Sequence, residues 1–176
     1  MQFLTFIQIL ATTAIVAAVP TPGVSSNLGG LEKRAAIFAA DCGGTVYSRE
    51  LVQSSFNALV SAYKLPPAQK PKAGTRAYPQ QYGNNKGVPT DADVVTALDA
   101  IAGCKTGQPN TKFFEFPLAN PVWNGGAQGG QGPDRVIAIS PNIKQGETRT
   151  FTYCTAITHR GGAGSGDGSF RACKNA

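Results

Sequence analysis

Four cysteines, spread over most of the chain, constrain its fold more than any other feature of the sequence. Cys42, Cys104, Cys154 and Cys173 all lie after residue 34. In a secreted protein an even number of cysteines predicts disulfide bonds, and here it predicts two. Spacing alone leaves all three pairings open. A zinc site is disfavoured because the chain has no C-x-x-C pair and a single histidine, and we predict no bound metal and no cofactor.

The N-terminal residues carry the pattern of a segment that is removed during secretion. Residues 1–18 form an uncharged, largely apolar run that ends on small side chains before Pro20 and Pro22, which predicts a signal peptide. The run is too short for a membrane span. Residues 19–34 lack hydrophobic periodicity and end on Lys33-Arg34, where a dibasic-specific protease would cut. We therefore predict a short propeptide, with an ordinary exposed basic pair as the alternative.

Residues 35–176 have the length of one domain with a single core. The whole chain carries a formal net charge of +6, which favours a polyanionic partner such as RNA over an acidic metal site. We expect a secreted, extracellular monomer without stable membrane association.

Hydrophobic spacing predicts an amphipathic α-helix early in this domain. Ser48 is suited to cap its first turn, and apolar side chains recur at helical spacing through residues 49–65. A second short helix is indicated in residues 90–103, begun by Thr90 or Asp91. Residues 66–89, between the two, are rich in proline, glycine and positive charge and predict mostly loop.

After Cys104 the sequence changes to short apolar strands separated by glycine-rich turns. The strands are KFFEFPL, DRVIAIS and RTFTYCTAITH, a pattern typical of an antiparallel sheet. Each strand carries one side chain suited to phosphoryl transfer: Glu115, Arg135 and His159 respectively. A carboxylate can accept a proton, a guanidinium can bind a phosphate, and an imidazolium can give a proton to a departing oxygen.

Each of these three residues also has a simpler explanation when it is taken alone. Strand alternation turns Glu115 away from the main apolar face, so it could be an edge-strand glutamate that reaches solvent. Arg135 follows Asp134 and could form a surface pair with it. A lone histidine is more often structural than catalytic.

Six segments, in chain order, give these residues a common context: CGGTVYS, AYPQQYGNNKG, FFEFPL, GPDRVIAI, AITHRGGAG and GSFRAC. They resemble the fungal extracellular guanyl- and purine-specific ribonucleases of the ribonuclease T-one, N-one and U-two type, which are related to the sarcin-type ribotoxins. The resemblance spans most of residues 35–176. It implies an α+β fold in which one amphipathic helix packs on a central antiparallel β-sheet. It also implies nested disulfides, Cys42–Cys173 and Cys104–Cys154.

The resemblance also implies a role for each matching residue in cleaving single-stranded RNA, but not DNA, without a metal. Glu115 would be the general base for the ribose 2′-OH, and His159 the general acid for the leaving 5′-oxygen. Arg135 would stabilise the phosphoryl oxygens. Tyr78 matches a tyrosine that contacts the phosphate, and Phe170 matches an aromatic residue beside the site. The product would be a 2′,3′-cyclic phosphate, which is then hydrolysed to a 3′-phosphate.

Gln80 departs from the family pattern within the catalytic set. Relatives carry a histidine here, in Y-P-H, whereas this chain reads YPQQY. A glutamine can form hydrogen bonds but cannot carry a positive charge or move a proton. We therefore expect reduced activity, with complete loss of RNA cleavage as the alternative.

Lys86 is the second departure, and it lies in the base-recognition loop. Guanine-specific members use an acidic residue at this position, and an ammonium group can only donate hydrogen bonds. Base binding would then depend on stacking against Tyr82 and on the backbone of Gly83, Asn84 and Asn85. A purine or guanine preference is compatible with this set, but strict guanine specificity is not expected.

Three functions remain open on these residues. The first is an endoribonuclease of the guanyl- and purine-specific type. The second is a ribonuclease-like secreted effector that binds RNA or a host partner with weak or no catalysis. The third is a ribotoxin-like enzyme acting on ribosomal RNA, although residues 87–112 contain fewer lysines than ribotoxin loops do.

Overall fold

The computed structural model describes residues 36–83, 91–141, 149–160 and 169–176. The chain divides into two units, Met1–Leu31 and Glu32–Ala176. The first unit lies outside the described residues, as do the whole signal peptide and propeptide predicted over residues 1–34, and both assignments stay predictions. Within the described ranges no helix is long and apolar enough to cross a membrane.

The described part of the chain contains two α-helices, both where hydrophobic spacing predicted them. Helix α1 spans Arg49–Tyr63, and the Ser48 hydroxyl accepts a hydrogen bond from the Leu51 amide at 3.3 Å, which confirms the predicted cap. Helix α2 spans Ala92–Asp99. Asp91 occupies its N-cap position, but the Asp91 side chain forms no capping hydrogen bond.

The strands in the described ranges form three antiparallel sheets. In chain order they are β1 (Ala40–Asp41), β2 (Val46–Tyr47), β3 (Lys72–Ala73), β4 (Arg76–Ala77), β5 (Gln80–Gln81), β6 (Thr111–Pro117), β7 (Asp134–Pro141), β8 (Thr152–Thr158), β9 (Arg171–Ala172) and β10 (Lys174–Asn175). The central sheet has the order β5-β6-β7-β8-β9, and the other two are a three-stranded sheet with the order β10-β1-β2 and the β3-β4 hairpin. Strands β3 to β5 lie in the region predicted to be mostly loop.

The central sheet separates two apolar clusters, because successive side chains of a strand point to opposite faces. On one face Phe114 and Phe116 pack in a cluster with Val52 and Leu59 of α1. On the other face Phe113 belongs to a second cluster, which also contains Val94 and Leu98 of α2 together with Ile137 and Ile157 of the sheet. The predicted direction of Glu115, away from the α1 side, is thereby confirmed.

Two disulfides close the domain. Cys42 bonds to Cys173 and Cys104 bonds to Cys154, at sequence separations of 131 and 50 residues. The pairing implied by the family resemblance is therefore confirmed, together with the α+β fold. Loops of this length contribute about 4 to 5 kcal/mol each when the stabilisation is ascribed to chain entropy.

Candidate active site

Strand register places Gln80, Glu115 and Arg135 on the same face of the central sheet. Glu115 lies directly opposite Gln80 on β5 and directly opposite Ile137 on β7. Residues directly opposite one another project to the same face, as do residues two positions apart along a strand. Arg135 is two positions from Ile137, so it joins Glu115 on the face that is remote from α1.

Glu115 is buried, with 9% of its surface exposed. Strand β6 lies between β5 and β7, so the alternative of an edge-strand glutamate in solvent is wrong. Burial raises the pKa of Glu115 to about 7, while the positive charges of Arg135 and Arg76 act in the opposite direction. A carboxyl group that titrates near neutral pH is suited to general base catalysis.

Arg135 is also buried, and one edge of its guanidinium is held by the backbone. Its Nη1 donates to the carbonyl oxygens of Gly132 at 2.7 Å and Asp134 at 2.8 Å. Its Nε has no hydrogen-bond partner among the described residues. The guanidinium carbon lies 5.7 Å from the centroid of the Tyr78 ring. A buried cation with a free donor is suited to bind an anionic group.

Asp134 does not form the surface pair with Arg135 that its position in the sequence allowed, because it is fully buried. The Tyr47 hydroxyl donates to Asp134 Oδ2 at 2.5 Å, and Arg160 Nη2 lies 3.1 Å from the same oxygen. Arg160 also donates to the hydroxyl of Thr45. Asp134 therefore connects two segments of the site. It directly precedes Arg135 in the chain, and its partner Arg160 directly follows His159.

Two further buried donors lie at this site without a partner in the described part of the chain. The Tyr78 ring is fully buried and packs edge-on against Phe116 and Trp123, with ring centroids 6.2 and 5.2 Å apart. Neither the Tyr78 hydroxyl nor Gln80 Nε2 forms a hydrogen bond with any described residue. Buried polar groups are normally paired, and leaving one unpaired destabilises a protein. A ligand with acceptor oxygens would satisfy these donors.

His159 follows directly after β8, as predicted, and its ring is fixed on one side. Its Nδ1 lies 2.8 Å from the carbonyl oxygen of Ser169. A carbonyl oxygen can only accept, so Nδ1 carries the proton and Nε2 faces away from this contact. The Phe170 ring stacks on the imidazole, with centroids 3.6 Å apart and an interplanar angle of 34°. Phe170 is thus placed beside His159.

The predicted base-binding residues are only partly described. Tyr82 is 2% exposed, its hydroxyl donates to Asp91 Oδ2 at 2.6 Å, and its ring lies edge-on to Phe170 at 5.5 Å. Burial, followed by the hydrogen bond to Asp91, raises the pKa of Tyr82 above its ordinary value. Little of this ring is accessible to a base, so its stacking role stays a prediction. Gly83 follows in a left-handed turn with φ of 71°, and Asn84, Asn85 and Lys86 lie outside the described residues.

Sequence reasoning missed four charged residues around the site: Arg76, Asp91, Asp134 and Arg160. Asp91 was visible only as a possible helix start, and Asp134 only as a neighbour of Arg135. Their contacts join distant segments, and hydrophobic periodicity carries no signal for such pairs. Within the described residues, no group of three His, Cys, Asp or Glu side chains could hold a metal ion.

A buried carboxyl group, a buried guanidinium and an imidazole fixed by one nitrogen thus come from three adjacent strands of one sheet. A search of curated proteins finds no match to the chain. A protein-family model described as ribonuclease matches residues 35–174. Since that match covers most of the sequence, the chain belongs to the ribonuclease family.

Proposed function

We propose that this protein is a secreted, monomeric endoribonuclease that cleaves single-stranded RNA without a metal ion. Membership of the ribonuclease family supports RNA as the substrate. One observation carries the mechanism: the buried carboxyl group of Glu115 shares a sheet face with Gln80 and Arg135, and Arg135 in turn contacts the Tyr78 ring. Gln80 Nε2, Arg135 Nε and Tyr78 Oη are all buried donors without partners in the described ranges. Such a set matches a ribose hydroxyl next to an anionic phosphate.

In the first step, ionised Glu115 takes the proton of the ribose 2′-OH, and the 2′-oxygen attacks the adjacent phosphorus. The bond from phosphorus to the 5′-oxygen breaks, and His159 Nε2 gives its proton to that oxygen. Arg135 and Tyr78 donate hydrogen bonds to the phosphoryl oxygens, where negative charge increases. The products are a 2′,3′-cyclic phosphate and a free 5′-OH. DNA is not a substrate because it lacks the 2′-OH.

In the second step, water opens the cyclic phosphate to a 3′-phosphate, with the two residues in exchanged roles. His159 then takes a proton from water and Glu115 returns one to the 2′-oxygen. No metal is required to generate the first nucleophile, since the substrate itself contains it. Lys86 in place of an acidic residue favours a relaxed purine preference over strict guanine specificity.

The test combines a chelator with two variants. RNA cleavage should persist in EDTA and should fall by about 100-fold or more in Glu115→Gln and in His159→Ala, since each removes one side of acid–base catalysis. Phosphorus NMR should detect the 2′,3′-cyclic phosphate as an intermediate. Cleavage that stops with the chelator, or that is unchanged in both variants, contradicts the mechanism. Dinucleotides that differ in the 5′ base would report base preference in the same assay.

A second candidate is a ribonuclease-like secreted effector that binds RNA with weak catalysis. Gln80 favours it, because a neutral amide faces Glu115 where the resemblance implies a histidine. Tight binding of single-stranded RNA with no turnover would support this candidate. A single discrete fragment from intact ribosomes would instead support the ribotoxin-like alternative, and general degradation of free RNA would contradict it.

A further inference from the structure

One peptide group connects the imidazole of His159 to a carboxylate on another segment. The carbonyl oxygen of Ser169 accepts from His159 Nδ1 at 2.8 Å. The amide nitrogen of the same peptide group belongs to Phe170 and donates to Asp91 Oδ1 at 3.2 Å. The order of groups is therefore carboxylate, peptide N–H, peptide C=O and imidazole. The two ends of this series are contributed by residues 91 and 159.

We propose that Asp91 is a positioning residue for His159 and acts through the peptide group between Ser169 and Phe170. The inference rests on the proposed function, because it takes His159 to be the proton donor to the leaving 5′-oxygen. Asp91 itself touches neither the substrate nor the reacting atoms.

The carboxylate acts through polarisation of the peptide group. A negative charge that accepts from the amide N–H draws positive charge towards nitrogen and leaves the carbonyl oxygen more negative, because hydrogen bonds in series strengthen one another. A more negative Ser169 oxygen holds the Nδ1 proton of His159 more firmly. That selects the orientation in which Nε2 is presented to the substrate, as a carboxylate does directly in other histidine sites.

Asp91 is well fixed for this task. Its second oxygen, Oδ2, accepts from the Tyr82 hydroxyl at 2.6 Å, and Tyr82 is almost completely buried. Its side chain forms no capping bond with α2, so one carboxylate oxygen accepts from Tyr82 and the other accepts from the Phe170 amide. The Phe170 ring covers the imidazole face at 3.6 Å, which restricts rotation of the ring about its bonds.

The kinetic test uses two substrates with different leaving groups. One is a dinucleotide, whose 5′-oxygen must be protonated as it leaves. The other is the same 3′-nucleotide esterified with 4-nitrophenol, whose aryl oxide leaves without a proton. Asp91→Ala should lower kcat/KM about 10-fold on the dinucleotide, a loss typical of partners that orient a histidine, and change it less than about twofold on the aryl ester. Asp93→Ala, an exposed acid of the same helix, is the matched control and should change neither.

Equal losses on the two substrates, or no loss on either, would overturn the proposal. If Asp91→Ala does not fold, Asp91→Asn is measured instead. The asparagine keeps the volume and one acceptor but lacks the charge, so the ratio of dinucleotide to aryl-ester cleavage must still fall. An unchanged ratio would count against a role for Asp91 in positioning His159.

A second readout does not depend on catalysis. The chain contains a single histidine, so the imidazole nitrogen signals in a ¹⁵N NMR spectrum belong to His159. Asp91→Ala should move the Nδ1 signal towards the value of a rapidly exchanging tautomer mixture, and an unmoved signal would overturn the inference. His159→Ala separates the two proposals: if this variant cleaves the dinucleotide as fast as the wild type, the proposed acid is wrong, whatever the Asp91 spectra show.

Discussion

Gln80 and Glu115 are direct partners across the antiparallel pair of β5 and β6, and Gln80 Nε2 has no hydrogen-bond partner within the described ranges. The strand therefore places a neutral amide side chain directly opposite the carboxylate. A positively charged donor at this position would stabilise ionised Glu115 more strongly, since charge-assisted hydrogen bonds are roughly twice as strong as neutral ones. The side chain at position 80 thus bears directly on how readily Glu115 ionises.

Gln80→His should raise kcat/KM for RNA cleavage about 10-fold, because a protonated imidazole favours the ionised form of its partner by about one charge-assisted hydrogen bond. Initial rates on a dinucleotide would measure the change. Gln81→His is the matched control: it lies on the same strand, is exposed and pairs with Phe114 on the opposite face. An equal gain in both variants, or no gain in Gln80→His, would contradict this role of position 80.

Glu115 should destabilise the folded protein when it ionises. Its pKa is raised from 4.5 to about 7 in the folded state, so the folded state binds more protons than the unfolded state between these values. Stability therefore falls as the pH rises across that window. Glu115→Gln should be little different from wild type at pH 4 and more stable by about 3 kcal/mol near pH 8. Urea unfolding at both pH values would measure this, and a difference that does not grow with pH would refute it.

The acidic limb of the pH profile of kcat/KM should lie at about pH 7, where Glu115 ionises, and not near the ordinary value of a glutamate. Arg76→Gln should move this limb to higher pH, because the Arg76 charge lowers the Glu115 pKa. The movement should shrink at high salt, since Arg76 is exposed. Lys72→Gln, exposed on the neighbouring strand β3, is the control. A limb near pH 4.5 would contradict the raised pKa of Glu115.

Two buried tyrosines should respond in opposite ways to loss of their hydroxyls. Tyr47 donates to buried Asp134, so Tyr47→Phe should lower the free energy of unfolding by about 2 kcal/mol, the value of a hydrogen bond to a charged group. Tyr78 has no partner in the described part of the chain, so Tyr78→Phe removes an unpaired buried hydroxyl and should keep or slightly raise stability while it lowers RNA cleavage. Urea unfolding and dinucleotide kinetics on both variants decide the matter. Similar stability losses would show that the Tyr78 hydroxyl is already paired without substrate.

Local patterns in the sequence were sufficient for the two helices, the three long strands and the direction of Glu115. Helical spacing and a capping serine located α1, and period-two alternation placed Glu115 opposite to Phe114. The disulfide pairing came from the family resemblance, since spacing alone left it open. The two-residue strands β3 to β5 were not predicted because so short a pairing leaves no alternation to detect.

Contacts between distant charged or polar residues could not be predicted from the sequence. Tyr47 and Asp134 are 87 positions apart, and Asp91 and Phe170 are 79 apart. Each pair forms only because the sheet brings its segments together, and neither shows any periodic signal. Asp134 and Arg135 look like an exposed pair in the sequence, yet both are buried and each has other partners, because burial at the start of a central strand depends on the tertiary fold.

Because the two faces of the sheet have different roles, the function of β6 depends on whether its register is shifted by an odd or an even number of residues. A shift of the β6 register by two residues would keep every side chain on its present face of the sheet. A shift by one residue would turn Glu115 into the aromatic cluster that packs against α1 and would turn Phe114 and Phe116 to the face that now carries Glu115. A change in the length of a loop beside β6 preserves the site only if it leaves this register intact. The count of residues between its first pairing with β7 and Glu115 cannot change by one.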